Sequence, residues 1–155
     1  MASLVPSEED VAAGVRARLT GAAGYAAAIP GGVHYQRRPA GKAFPYVVLS
    51  VESGEREDVD SGGTYTQRFT VTATAWVQST DAAAAATTTA RTFLDANLGG
   101  GIADPSGGIT VANSVGVVHA LRKGGRLRLA PELRAGQDVL ATAAILDVTV
   151  EGRQE

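Results

Sequence analysis

The chain has no cysteine, which removes disulfides, thiolate metal ligands and thiol nucleophiles in one step. Aromatic residues make up only 5% of its 155 residues, with a single tryptophan, so there is little material to line a flat apolar pocket. A formal net charge of −2 lacks the positive excess of a domain that holds nucleic acid by bulk electrostatics. No apolar run reaches the roughly 18 residues that a membrane-spanning helix needs. At the N-terminus, Glu8, Glu9 and Asp10 stand where a secretory signal would carry bases ahead of an apolar stretch. The expectation is a soluble protein made in a cytoplasm, with no membrane partner.

What is present is small and apolar. Hydrophobic residues account for 45% of the chain, enough for a core, and the length suits one domain spanning 1–155. Nineteen glycines, with many alanines and threonines, imply small side chains and frequent loops. Such side chains suit close subunit contacts, and a GC-rich genome produces the same bias.

The clearest pattern runs from Tyr65 to Leu98. Tyr65, Phe69, Val71, Ala73, Ala75 and Val77 alternate with Thr64, Thr66, Arg68, Thr70, Thr72, Thr74 and Trp76, broken on the apolar side only by Gln67. Period two with β-branched residues on the polar side predicts a strand buried on one face, of the kind found in antiparallel or mixed sheets. At Ser79-Thr80-Asp81 the period changes to that of a helix, with an N-cap there and Ala83, Ala86, Ala90, Phe93, Leu94 and Leu98 on one face. The helix is expected to stop at Asn97-Leu98-Gly99, where glycine accepts a left-handed cap.

Elsewhere, Ser7 and Asp10 form a capping box ahead of a helix with the stripe Val11, Val15, Leu19 and Ala22, ending near Gly21 to Gly24. Val33-His34-Tyr35 reads as a short strand and Phe44 to Val51 as a strand whose Pro45 marks its start or an edge. Residues 52–63 read as an acidic loop joining two strands of an extended hairpin. Ile109 to Leu121 is strand-like with Gly116 as a bulge, and Arg122-Lys123-Gly124-Gly125-Arg126 reads as a hairpin turn into Leu127-Arg128-Leu129. A polar link through Pro131 and Gly136 precedes a last strand over Val139 to Val150. The fold class is therefore α+β: a single domain with a mainly antiparallel or mixed β-sheet, two α-helices on one face, and long hairpin loops.

No catalytic, cofactor or metal constellation emerges. His34 and His119 lie in separate strands without a second ligand at helical spacing. Gly41-Lys42 lacks the upstream glycine and following hydroxyl of a phosphate loop. Asp58 to Gly63 starts like a calcium loop, but its twelfth position is Phe69 where a bidentate glutamate is needed. Ser114 has Ala112 in place of the first glycine of a nucleophile elbow.

Charge placement carries what functional content remains. Glu52, Glu55, Glu57, Asp58 and Asp60 cluster in one hairpin, against Arg56 alone, and Arg122, Lys123, Arg126 and Arg128 cluster in another. Both could be solvated loops, since exposed ion pairs are worth under about 1 kcal/mol. In a ring, the acidic loop of one subunit can instead face the basic hairpin of the next. Trp76, alone on a threonine-rich face, needs a cover from the C-terminal segment of its own chain or from a neighbouring subunit.

The order of these elements, with Phe44-Pro45-Tyr46-Val47-Val48-Leu49-Ser50-Val51, the strand Gln67 to Val77 containing Trp76, and a helix closing on Phe93-Leu94, resembles the tail terminator or tail completion proteins of long-tailed bacteriophages. The resemblance covers roughly residues 8–150. The Arg37-Arg38 loop and the glycine-rich 99–108 connection depart from it. It implies a structural virion protein without an active site or cofactor, located in the tail or neck and assembled in the bacterial host cytoplasm. Such a protein forms a homo-oligomeric ring, usually a hexamer, that ends tube polymerisation and joins the tail tube protein to a neck or head-closure protein. DNA passes through without being read.

Two further readings stay open on the residues alone. One is another phage component, such as a head-closure, connector or tube subunit. The other is a small α+β ligand-binding module, for which the few aromatics are a poor lining.

Overall fold

The computed structural model describes residues 3–37, 43–59, 62–78, 83–122, 127–134 and 137–154. Helix α1 (Glu8–Thr20) begins on the expected capping box: the Asp10 amide donates to Ser7 Oγ at 3.1 Å and the Ser7 amide donates to Asp10 Oδ2 at 2.9 Å. Val11, Val15 and Leu19 are fully buried on its inner face, and Gly21 caps the end. A single-turn helix, α2 (Tyr25–Ala28), follows, too short for a periodic pattern to announce it. Strand β1 (Val33–Tyr35) leads to β2 (Tyr46–Asp58), which starts directly after Pro45, and then to β3 (Thr64–Gln78). Helix α3 (Ala83–Asn97) comes next; the capping residues expected at 79–81 lie outside the described residues. The chain closes with β4 (Val115–Arg122), β5 (Leu127–Arg134) and β6 (Gln137–Arg153).

The six strands form one open, mixed sheet in the order β1-β2-β3-β6-β4, with β5 also paired to β6. Among the described residues β1 and β2 run parallel and the other pairings are antiparallel. β3 and β6 pair from Thr64↔Arg153 to Gln78↔Val139 and form the spine. Their alternation matches across the ladder: Phe69 faces Val148, Val71 faces Leu146 and Ala73 faces Ala144, all buried in the core shared with α1 and α3. The intervening pairs, Thr70 with Asp147 and Thr72 with Ile145, lie half-buried on the opposite face. On α3, Ala90, Phe93, Leu94 and Leu98 are buried against the sheet, and Gly99 takes the positive φ of 114° that ends the helix.

Three expectations fail here, each for a traceable reason. Residues 52–58 are not a loop but the distal half of β2, held by pairing through to Asp58↔Tyr65 with a bulge between Ser53 and Arg56. Long-range register overrides the weak strand preference of Glu, Ser, Gly and Asp. Residues 109–114 are not strand, although Ile109 and Val111 are buried: the Ser114 hydroxyl donates to the Val111 carbonyl at 2.6 Å, Asn113 takes a φ of 59°, and β4 starts only at Val115. Gly116 does sit at a register shift, with φ 77°.

The third concerns the strands on either side of residues 123–126, which themselves lie outside the described residues: β4 and β5 each pair with β6 and not with one another. β4 pairs with β6 from Glu151 to Leu146 and β5 continues in the same direction from Ala143 to Gln137, so both lie in tandem along one edge of β6. The hairpin is instead between β5 and β6, at Arg134↔Gln137. Pro131 sits in β5 where the register shifts between Leu129 and Glu132, a place where a missing amide costs the ladder nothing.

Candidate functional site

The longest exposed run among the described residues, 52–59, lies on a ribbon made by the distal half of β2 beside β3, which is itself paired with β6 out to Thr64↔Arg153. β1 ends at Tyr35↔Leu49, so beyond that point β2 is paired on one side only, by β3. Glu52, Glu55, Glu57 and Asp58 are all exposed there; Asp60 lies outside the described residues. The ribbon closes with the Val59 amide donating to the Thr64 carbonyl at 2.9 Å.

Its closed end is well fixed. The Arg56 guanidinium carbon lies 3.7 Å from the centre of the Tyr65 ring, and Arg56 Nη2 donates to Gln154 Oε1 at 2.6 Å. Tyr65 is fully buried, and its hydroxyl has no hydrogen-bond partner among the described residues. Gly152 makes room for the ring, since a Cβ there would overlap it. Ser53 Oγ donates to Glu8 Oε1 at 3.1 Å, tying the ribbon to the first turn of α1. Arg56 is thus occupied within the chain, which leaves the ribbon's outer surface acidic.

The candidate neighbour contacts fare differently. Arg122 turns inward: Nη1 lies 3.3 Å from Asp95 Oδ1, and Nη2 donates to the Leu98 carbonyl at 2.8 Å and to the Asp95 carbonyl. A cation on the last carbonyls of α3 satisfies groups that the helix leaves open, so Arg122 holds its own subunit together. Lys123 and Arg126 lie outside the described residues, and Arg128 is placed by its backbone alone, opposite Thr142.

Trp76 is only 5% exposed and packs with Tyr46 and Ala141, with Phe44 and Val48 against them. Of the two covers expected for it, the one from its own chain is present, with Ala141 of β6 contributing.

A second surface lies on the sheet face away from the helices, at the β4 side. A groove of about 530 Å³ runs between Arg68, Ile102, His119, Leu121, Asp147 and Thr149. Ile102 is fully exposed and Leu121 is 68% exposed. The 99–105 segment forms its wall because the Gly100 amide donates to the Ala120 carbonyl at 2.6 Å and the Ala120 amide to the Pro105 carbonyl at 2.8 Å, covering the β4 edge. Sequence reading passed over this groove; the available signal was that Leu121 shares the phase of His119 and so falls on the polar side of its strand.

Among the described residues no group of three or more His, Asp or Glu side chains is arranged to hold a metal ion. The polar side chains lining the β4-side groove are Arg68, His119, Asp147 and Thr149. The chain therefore presents an acidic strand pair and an open sheet face, with its helices on the other face of the sheet.

Comparison with known proteins supplies the family. Residues 13–103 match the family described as Tail completion protein gp17, a stretch that runs from α1 through the ribbon and α3. The chain belongs to this family and is a structural protein of a phage tail. Among solved structures, a chain from "Virion of native gene transfer agent (GTA) particle" aligns with 20% identity and a TM-score of 0.55, covering 92% of this chain and 95% of that one; the likeness is one of fold. No curated protein sequence matches.

Proposed function

We propose that the chain acts as one domain over residues 1–155 and terminates the tail. Copies assemble into a ring, a hexamer, on the head-proximal end of the tail tube. The ring ends tube polymerisation and presents its other side to a neck or head-closure protein. The sheet forms the ring wall, α1 and α3 buttress it, and the acidic ribbon points toward the tube or the lumen. Exposed carboxylates in the lumen repel DNA phosphates and keep the passing DNA moving. Assembly takes place in the host cytoplasm.

The observation that carries this reading is the ribbon itself, in a chain of the tail completion family. It is a strand pair with an anchored closed end and an acidic outer surface. Electron microscopy of the purified protein tests the assembly: single rings are expected, whereas long stacked polymers would make it a tube subunit. Replacing Glu55, Glu57, Asp58 and Asp60 with Ser tests the ribbon. The expected result is a folded monomer with altered tail length or head joining; fully infectious particles with normal tails would overturn the role.

A further inference from the structure

We infer that the outer edge of β2, from Val51 to Asp58, takes one further strand: an extended segment of another protein chain that carries basic side chains. β1 covers this edge only as far as Leu49, whose carbonyl accepts from the Gln36 amide at 2.9 Å; Gln36 then takes a φ of 61° and the chain turns away. The phase of the ladder fixes which main-chain groups are left. The Val47 amide donates away from β3, to the Gly32 carbonyl at 2.9 Å, so Val51 and Ser53 face outward in the same phase. Past the bulge the Val59 amide donates inward to Thr64, so Arg56 and Asp58 face outward again. The amides and carbonyls of these four residues have no partner among the described residues. Elsewhere the chain closes its own sheet edges: Gly100 and Pro105 bond to Ala120 along β4, and Leu4 and Arg153 exchange two bonds of 2.8 Å at the end of β6.

Side-chain charge selects the strand that fits. Glu57 and Asp58 pair with Thr66 and Tyr65 on alternate faces of the ribbon, and Glu52 and Glu55 are exposed beside them, so acids flank the edge on both faces. Arg56, the cation of the stretch, is taken up by Tyr65 and Gln154. Charged side chains and bulges keep sheet edges from pairing with their own kind, and this edge has both. They bar a second acidic β2 but admit a strand with Lys or Arg on both faces, so the charge chooses a partner without closing the edge. Main-chain bonds then supply the affinity and the acids the specificity. The contact is independent of ring formation.

Amide hydrogen exchange on the full chain tests this, with the blocked peptide acetyl-Thr-Lys-Lys-Val-Lys-Lys-Thr-amide as the probe and its glutamate counterpart as the control. With peptide at about ten times its Kd, exchange at Val51, Ser53, Arg56 and Asp58 is expected to slow about tenfold, while the inward amides of Glu57 and Val59 keep their rates. The double variant Glu55→Lys, Glu57→Lys, at two exposed positions, is expected to weaken peptide binding about tenfold or more at unchanged melting temperature. Binding that leaves the four outward amides fast overturns the strand addition, as does no binding at millimolar peptide. Equal binding of the glutamate peptide, or undiminished binding by the double variant, overturns the choice by charge. Slow exchange at the four amides before peptide is added, growing with protein concentration, overturns the partner by showing that a second copy fills the edge. None of these outcomes decides the ring, which electron microscopy tests separately.

Discussion

The Arg56 guanidinium carbon stands 3.7 Å from the ring centre of Tyr65, stacking a charge from β2 on an aromatic face from β3 at the closed end of the ribbon. Such a contact is worth about 0.5–2 kcal/mol, depending on how dry it is. Arg56→Ala should therefore lower stability to urea by about that amount. Tyr65→Phe should do the reverse, because it keeps the ring and removes a buried hydroxyl without a partner, a defect that costs about 1–3 kcal/mol. A loss of stability in Tyr65→Phe would show that the hydroxyl is satisfied in solution.

Gly14 sits inside α1, where alanine would ordinarily gain about 1 kcal/mol. Here a Cβ would overlap the Thr110 carbonyl oxygen and come within 3.4 Å of Ile109 Cγ2. Backbone cannot move aside as a flexible side chain can, so Gly14→Ala is expected to destabilise by about 1–3 kcal/mol in thermal unfolding. A raised melting temperature would mean that α1 and the 109–111 segment are not in this contact.

Arg122 is expected to matter for folding and not for assembly. With its side chain 36% exposed, the Asp95 pair and the carbonyl bonds together contribute about 1 kcal/mol. Arg122→Ala should lower the melting temperature by a few degrees and leave the oligomeric state, followed by light scattering, as it was. Loss of assembly at unchanged melting would return Arg122 to the subunit interface.

Trp76 is the chain's only tryptophan, so its fluorescence reports one site. Buried among Tyr46, Phe44, Val48 and Ala141, it should emit at short wavelength and resist iodide quenching equally in monomer and assembly. A marked change on assembly would place the indole at the contact after all.

Acid should weaken α1 first at its cap. Partial burial works to raise the Asp10 carboxyl, but bonds from the Ser7 amide, Asn113 and the Ser7 hydroxyl hold it below the ordinary carboxylate value. A lowered folded value means that the carboxylate contributes stability above the unfolded pKa of about 4, and that this is lost as pH falls through the folded value. Melting temperature measured from neutral pH downward should fall less steeply in Asp10→Asn than in the native chain; identical slopes would remove the cap from the acid response.

The parts of this fold that could be read in the sequence are those set by local rules. Ser7 and Asp10 announce a helix because the cap is made within one turn, and the alternation from Tyr65 to Val77 survives because both faces of β3 meet steady environments. The acidic half of β2 escapes such reading, since what orders Glu52 to Asp58 is register with β3 and the Arg56 stack on Tyr65, contacts that local propensity does not contain. Glycines after Arg122 signal an interruption but not which strands pair around it. Only the length of β6, 17 residues against 8 in each of β4 and β5, makes a tandem arrangement natural. The acids of the candidate site were visible as composition; the groove of Ile102 and Leu121 was not, because it is assembled by a loop folding back on β4.

The β3–β6 spine has a mechanical consequence. Its two strands pair without interruption from the ribbon end of the sheet to the β5–β6 hairpin at the other. A pull applied along that axis loads the ladder in shear, with all its hydrogen bonds sharing the force at once, whereas a pull across it would open them one at a time. The β3–β6 ladder therefore resists load along its length better than across it.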